Sequence, residues 1–112
     1  MKKIEAIIRR EKLGVVRRAL EVVGYPGMTI TEVKGHGTQK GKTGSNGNET
    51  HRSEFLPKLK LEIIARDSEV RPIMEAIANC SRTGAIGDGK LFLSSIEDAL
   101  RVRTGEEGEA AI

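Results

Sequence analysis

Apolar and polar residues alternate along residues 3–9 and again along residues 58–65. A period of two places successive side chains on opposite faces of a strand, so both segments predict half-buried strands. Residues 28–34, rich in β-branched side chains, and residues 91–95 predict two further strands. The pattern therefore predicts four strands.

Two segments between these strands carry apolar residues at helical spacing. The first covers residues 13–23, and Gly24 is placed to end it. The second is expected to be capped by Asp67 or Ser68, with Pro72 tolerated near its start. Residues 96–100 predict one more helical turn. The buried stripe of the second helix is predicted to consist of Val70, Ile73, Met74, Ile77 and Ala78.

The order strand-helix-strand, long loop, strand-helix-strand is typical of the α+β, ferredoxin-like double βαβ fold. It predicts a four-stranded antiparallel sheet with two helices on one face. The length of 112 residues fits a single domain. On the open face, Ile7 and Ile64 are out of phase with their polar neighbours. They mark either a self-association or ligand surface, or isolated exposed isoleucines of an ordinary kind.

Glycine is concentrated in two places among its 13 occurrences, with five between Gly35 and Gly47 and three between Gly84 and Gly89. Residues 35–50 include no apolar side chain and cannot contribute to a core. They are therefore predicted to form a long exposed loop, either functional or simply solvated. Residues 101–112 have little apolar content and are interpreted as a C-terminal tail.

The second glycine cluster, residues 83–90, has the sequence TGAIGDGK and is called the glycine turn below. Glycines that let backbone N–H groups point inward, next to Lys90, would form a cradle for phosphate. Arg101 and Arg103 add two guanidinium groups that suit phosphate oxygens. An ordinary helix-to-strand turn is the alternative explanation of the glycines, and a charged tail is the favoured explanation of the two arginines taken alone. The two glycine-rich segments and the arginine pair together favour an anion site.

Other chemistries find less support. Residues 41–43 (GKT) end like a P-loop, but His36 stands where its first glycine is required, and no helix-forming sequence follows. Gly35, Gly37 and Gly41 are spaced one residue too widely for a dinucleotide fingerprint. His36, His51 and Cys80 lack the spacing of a known metal site. Nucleic acid is not expected as a partner, because 16 acidic residues balance 19 basic ones and only three side chains are aromatic.

Composition also limits the possible partners and the cellular location of the protein. A formal net charge of +3 permits an anionic partner without naming one. The single cysteine excludes an internal disulfide, and no apolar run approaches the ~18 residues of a membrane span. The first residues lack the pattern of a secretory signal peptide. A cytoplasmic location is expected.

Several stretches resemble the PII nitrogen-regulatory signalling proteins over essentially the whole chain. The most specific are residues 83–92 (TGAIGDGKLF) and 101–107 (RVRTGEE). Residues 1–8 (MKKIEAII), 27–35 (GMTITEVKG), 39–41 (QKG) and 55–58 (FLPK) add to them. The predicted loop, about residues 36–54, has the length of the family's T-loop.

The resemblance implies a non-enzymatic homotrimer with ATP or ADP in each intersubunit cleft and 2-oxoglutarate as effector. Arg101 and Arg103 would reach the phosphates from the neighbouring subunit, and Gln39 would help to hold Mg²⁺ on ATP. The implied 2-oxoglutarate contacts are Gln39, Lys40, Gly41 and Lys58. The implied nucleotide contacts are Ile7, Thr29, Gly35, Gly37, Thr38, Gln39, Glu62, Ile64, Gly87, Asp88, Gly89, Lys90, Arg101 and Arg103.

The implied targets, recognised through the T-loop, are an ammonium transporter or a nitrogen-metabolism enzyme. The transporter would be the only link of the protein to a membrane. Three positions depart from the family pattern. His51 replaces the modifiable Tyr, Thr38 replaces a phosphate-contacting Arg, and Gly47 replaces the Arg with which some members plug a channel. A PII-like adaptor with another effector or target is the alternative. A slow ATPase is a third hypothesis, but the sequence shows no evident general base for hydrolysis.

Overall fold

The sheet and both helices are described by a computed structural model that covers residues 1–36 and 55–112. Gly37, Thr38, Gln39, Lys40, Gly41 and most of the predicted T-loop lie outside the described residues. Within them, the strands and α-helices follow one another as β1 (Lys2–Arg9), α1 (Leu13–Val23), β2 (Thr29–Gly35), β3 (Leu56–Ala65), α2 (Val70–Ser81) and β4 (Lys90–Ser95).

The four strands form one antiparallel sheet in the order β2-β3-β1-β4. The register places Ile7 of β1 opposite Lys60 of β3 and Lys90 of β4. In the β2–β3 pair, Thr29, the first residue of β2, lies opposite Glu62 of β3. The predicted ferredoxin-like double βαβ fold is confirmed.

The core lies between the helices and one face of the sheet. Alternate residues of β1 and β3 are buried there, as the period of two predicts. The helices contribute Val16 and Leu20 from α1, and Ile73 and Ile77 from α2, each fully buried. The opposite face carries a half-buried charge cluster, in which the Lys60 ammonium lies 3.5–3.6 Å from the Glu62 and Glu5 carboxylates.

Gly24 ends α1 as predicted, with φ +83° and its N–H donating to the Leu20 carbonyl. The expected cap of the second helix is wrong. Asp67 already lies within a 3₁₀ turn that leads into α2, and the Glu69 carboxylate accepts the Arg66 backbone N–H at 3.0 Å. The capping bond therefore runs backwards from the third position of the turn.

The helical turn expected over residues 96–100 is also wrong. The Asp98 carboxylate accepts the backbone N–H groups of Ala99, at 2.8 Å, and Gly108, at 3.2 Å. Such local bonds compete with helix formation. Leu100 instead forms a backbone bridge with Glu107. No helix within the described residues is both long and apolar enough to cross a membrane.

Candidate functional site

The glycine turn follows α2 and leads into β4. Gly84, Gly87 and Gly89 have φ values of +85°, +102° and +102°. At Gly89 the requirement is steric as well, because an added Cβ would lie 1.7 Å from the Ile7 carbonyl oxygen. Only glycine lets the turn approach β1 this closely.

The Asp88 carboxylate bonds back to the first residues of the glycine turn. Its Oδ2 accepts the backbone N–H groups of Thr83, at 2.8 Å, and Gly84, at 2.9 Å, while its Oδ1 accepts the Thr83 hydroxyl at 2.5 Å. These bonds to Thr83, together with the Arg9 guanidinium, hold the pKa of the Asp88 carboxyl far below its usual range. Asp88 therefore organises the turn as a carboxylate.

Two cations reach the turn from neighbouring strands, where Arg9 of β1 lies opposite Lys58 of β3. Arg9 Nη1 forms an ion pair with Asp88, and its Nη2 donates to the Ile86 carbonyl at 2.9 Å. The Lys58 ammonium donates to the Gly87 carbonyl at 2.5 Å. Burial, and then the nearby Arg9 charge, lower the pKa of Lys58. Successive carbonyls of the turn are thus each bound by a cation.

A cavity of about 370 Å³ opens beside this turn. Lys58 and Lys90 are both among its lining residues, and no acidic side chain is among the described residues that line it. His36 lines it as well, with its ring centroid 5.3 Å from that of Phe55, so the residues that flank segment 37–54 meet here. This cavity suits a phosphate or carboxylate ligand. It brings together the predicted residues Ile7, Gly35, Lys58, Gly87, Gly89 and Lys90.

A second cavity, of about 350 Å³, is lined by four other predicted residues: Thr29, Glu62, Ile64 and Arg101. No described residue lines both cavities. In the β1–β3 register Ile64 lies opposite Lys3, four residues from Ile7, or about 13 Å along the strand. One chain therefore carries these predicted residues as two separate sets, and Asp88, also predicted to contact the nucleotide, lines neither cavity. Arg103 is exposed and lines neither cavity.

Arg9 and Thr83 were not among the residues expected to serve the site. The alternation along residues 3–9 identifies Arg9 only as one of the polar residues of the first strand. Its position at the end of β1 becomes informative only with the β1–β3 register, which sets it opposite Lys58. Thr83 carries a weak signal, because it stands five residues before an Asp within a glycine-rich turn.

Fold and site together define a small ferredoxin-like protein with a cationic, glycine-lined cavity next to a long inter-strand segment. Residues 1–106 match the family "Nitrogen regulatory protein P-II". Proteins of that name are 50% identical in Cereibacter sphaeroides, 49% in Rhizobium meliloti and 51% in Pasteurella multocida, each over all 112 residues and the full length of the relative. The chain belongs to the P-II family. Its members are signalling regulators of nitrogen-metabolism targets, which gives this chain a role in nitrogen-regulation signalling.

Proposed function

We propose that the chain is a non-enzymatic sensor that binds ATP or ADP together with 2-oxoglutarate between the subunits of a homotrimer. Its loop, residues 36–54, then regulates an ammonium transporter or a nitrogen-metabolism enzyme. The observation that carries the proposal is the cavity beside the glycine turn, whose lining includes two lysines and the glycines at positions 87 and 89.

The chemistry of that cavity supports two kinds of anion. Backbone N–H groups of Gly87, Gly89 and Lys90 with the Lys90 ammonium would hold phosphate oxygens. Lys58, whose ammonium has three donors and uses one on the Gly87 carbonyl, would pair with the distal carboxylate of 2-oxoglutarate. Burial lowers the pKa of Lys58 in the free protein, and a carboxylate bound beside it would raise that pKa again because it stabilises the charged ammonium.

Mg²⁺ would arrive with ATP. Among the described residues, no group of three or more potential metal-ligating side chains occurs, and none of those that line the cavity carries a carboxylate. Mg²⁺ prefers phosphate oxygens and waters with few protein ligands, so this donor set fits a nucleotide-borne ion. Gln39 is the proposed protein ligand.

A second copy would complete the nucleotide site. Thr29, Glu62 and Ile64, which together with Ile7 are proposed to surround the adenine, lie with Arg101 in the other cavity of the same chain, whereas Ile7 lines the first cavity. A cleft in which the first cavity of one copy faces the second cavity of the next would unite both sets. Cyclic repetition of this head-to-tail contact gives a closed ring such as a trimer.

Calorimetric titration with ATP, ADP and 2-oxoglutarate, with and without Mg²⁺, tests the proposal. We expect both nucleotides to bind, and 2-oxoglutarate to bind only at saturating Mg-ATP. Lys58→Gln should abolish 2-oxoglutarate binding and leave ATP binding within about threefold, whereas Lys90→Gln should weaken both nucleotides at least about tenfold. Absence of 2-oxoglutarate binding at saturating Mg-ATP would remove the effector from the proposal.

Thr38 tunes the nucleotide response in this proposal, because the family pattern has an Arg at that position. Thr38→Arg should raise ATP affinity about tenfold, the value of one charge-assisted hydrogen bond. Thr38→Gln is the matched uncharged control. Equal ATP-to-ADP affinity ratios in all three proteins would show that residue 38 does not set the preference.

The alternative is a PII-like adaptor with another effector or a target outside nitrogen assimilation. The tip residues 44–51 favour it, because His51 replaces the modifiable Tyr. Co-purification with an ammonium channel counts against it. Recovery of a transporter or enzyme of another pathway, lost when residues 44–51 are replaced, supports it.

A further inference from the structure

Arg9 lies behind the glycine turn and lines neither ligand cavity. Its side chain is only 20% exposed, and an added Cβ on Gly87 would meet its Nη2 at 3.1 Å. We propose that Arg9 is a positioning residue, which with Asp88 and Thr83 fixes the glycine turn and so sets nucleotide affinity without contacting the nucleotide. This inference rests on the proposed function, because it concerns the same phosphate site.

The guanidinium of Arg9 holds the turn at three points. Nη1 pairs with Asp88 and donates to the Thr83 hydroxyl at 3.2 Å, while Nη2 donates to the Ile86 carbonyl at 2.9 Å. These partners lie at the start, the middle and the end of the turn. A lysine ammonium on its flexible stem cannot reproduce this planar fork. The role of residue 9 therefore requires an arginine side chain and not merely a positive charge.

The turn needs such a restraint because of its composition. Gly84, Gly87 and Gly89 give the unfolded turn more backbone freedom than other residues would at these positions. Without restraint, the entropy of ordering the turn would be lost at the moment of phosphate binding. With Arg9 and Asp88 in place, the N–H groups are already oriented. The expected effect of removing Arg9 is thus a loss of affinity common to all ligands held by the turn.

Lys58 makes this role more important when the effector is present. Its ammonium bonds the Gly87 carbonyl, next to the Ile86 carbonyl bonded by Arg9. A carboxylate that pairs with the remaining donors of Lys58 would share this ammonium with the Gly87 carbonyl. Arg9, bound to partners of its own, keeps the turn in shape while Lys58 takes this second partner.

The test uses the full chain with Arg9→Gln and Arg9→Lys, and Arg10→Gln as the matched control. Arg10 is the adjacent arginine, but its side chain is 55% exposed and pairs with Glu32 at 3.6 Å, away from the turn. Calorimetry should show about tenfold weaker binding of both ATP and ADP to Arg9→Gln, with an unchanged ATP-to-ADP ratio. Arg9→Lys should recover only part of this loss, and Arg10→Gln should bind like the wild type.

Two further measurements separate positioning from general stability. Amide hydrogen exchange of Thr83 and Gly84, whose N–H groups bond to Asp88, should rise at least about tenfold in Arg9→Gln. Exchange of the core amides of Ile4 and Leu61 should stay unchanged. In a double-mutant cycle, Arg9→Gln should add little to the loss of affinity in Asp88→Asn, because the two residues act as one unit.

Nucleotide affinity within twofold of the wild type in Arg9→Gln would overturn the inference and leave the proposed function intact. An equal rise in exchange at the turn and in the core would overturn it too, because Arg9 would then serve only stability. If the wild type binds no nucleotide, the proposed function fails. The exchange rates then decide alone whether Arg9 orders the turn.

Discussion

Gly89 and Gly84 show, at the scale of single residues, two separate reasons for a glycine in the same turn. Both have positive φ, but a Cβ on Gly89 would overlap the Ile7 carbonyl at 1.7 Å, whereas a Cβ on Gly84 would meet nothing within 4 Å. The first position combines steric exclusion with backbone strain. The second involves backbone strain alone.

Gly89→Ala and Gly84→Ala form a matched pair. We expect Gly84→Ala to cost about 1 kcal/mol of unfolding free energy, the usual penalty for a left-handed residue with a Cβ. Gly89→Ala should cost at least about 2 kcal/mol more, because β1 and the turn must move apart. Urea denaturation measures both. Equal costs would show that the close approach to Ile7 does not constrain the fold.

Asp88 predicts a specific acid sensitivity. Its folded-state pKa lies well below the ordinary value that it regains on unfolding, so the bonds of its carboxylate stabilise the protein above that ordinary value. This contribution decreases as the pH falls below about 4. In Asp88→Asn the decrease is absent, so its thermal midpoint should fall less steeply between about pH 5 and 3 than that of the wild type. Parallel pH profiles would contradict this role of Asp88.

At the scale of elements, β3 presents two surfaces with different tasks. Ile63 is 1% exposed and packs in the core beneath the helices. Its neighbour Ile64 lies on the opposite face and lines the second cavity. The alternation that predicted the strand also predicted these two faces. The out-of-phase Ile64 was correctly interpreted as a surface position, and the cavity offers a physical reason for an apolar side chain there.

Substitution of these neighbours by alanine should separate the two tasks. Ile63→Ala should lower the unfolding free energy by about 2–5 kcal/mol, because it leaves a cavity in a close-packed core. Ile64→Ala should cost less than about 1 kcal/mol and yet weaken nucleotide binding about tenfold through lost apolar contact with the base. Denaturation and calorimetry on both variants check this. A larger stability loss in Ile64→Ala than in Ile63→Ala would contradict the assignment of faces.

On the scale of the whole molecule, the two cavities of one chain lie at different ends of the sheet. Lys90 stands at the first, and Arg101 lines the second and pairs with Glu106 at 3.4 Å. Residues implied to bind one ligand are thus divided between two places. An assembly in which the first cavity of one copy faces the second cavity of its neighbour would bring these residues together around one ligand.

Complementation between defective chains tests that assembly. Lys90→Gln and Arg101→Gln homo-oligomers should each bind ATP at least about tenfold more weakly than the wild type. Refolded as a 1:1 mixture, they should regain wild-type affinity in about a quarter of the sites. Such a site combines the intact Lys90 of an Arg101→Gln chain with the intact Arg101 of a neighbouring Lys90→Gln chain. Sedimentation should confirm mixed oligomers. No recovery in confirmed mixed oligomers would place both residues in the site of a single chain.

The sequence by itself determined much of this protein. Periods of two and of three to four residues predicted the strands, the helices and their core faces, because these signals are local and repeat along the chain. Clustered glycines and cations predicted an anion site at residues 83–90, and characteristic stretches identified the family. The turn expected at 96–100 failed, because Asp98 bonds Gly108, ten residues away.

Only the tertiary structure decided how the glycine turn is held and how the site is divided. Arg9 and Asp88 are 79 positions apart in the chain, and no local pattern links them. Strand pairing brings Arg9 opposite Lys58, and the close approach of Gly89 to Ile7 brings the turn to both. The same pairing register separates Ile7 from Ile64. Such relations depend on contacts between distant segments, which periodicity and composition do not encode.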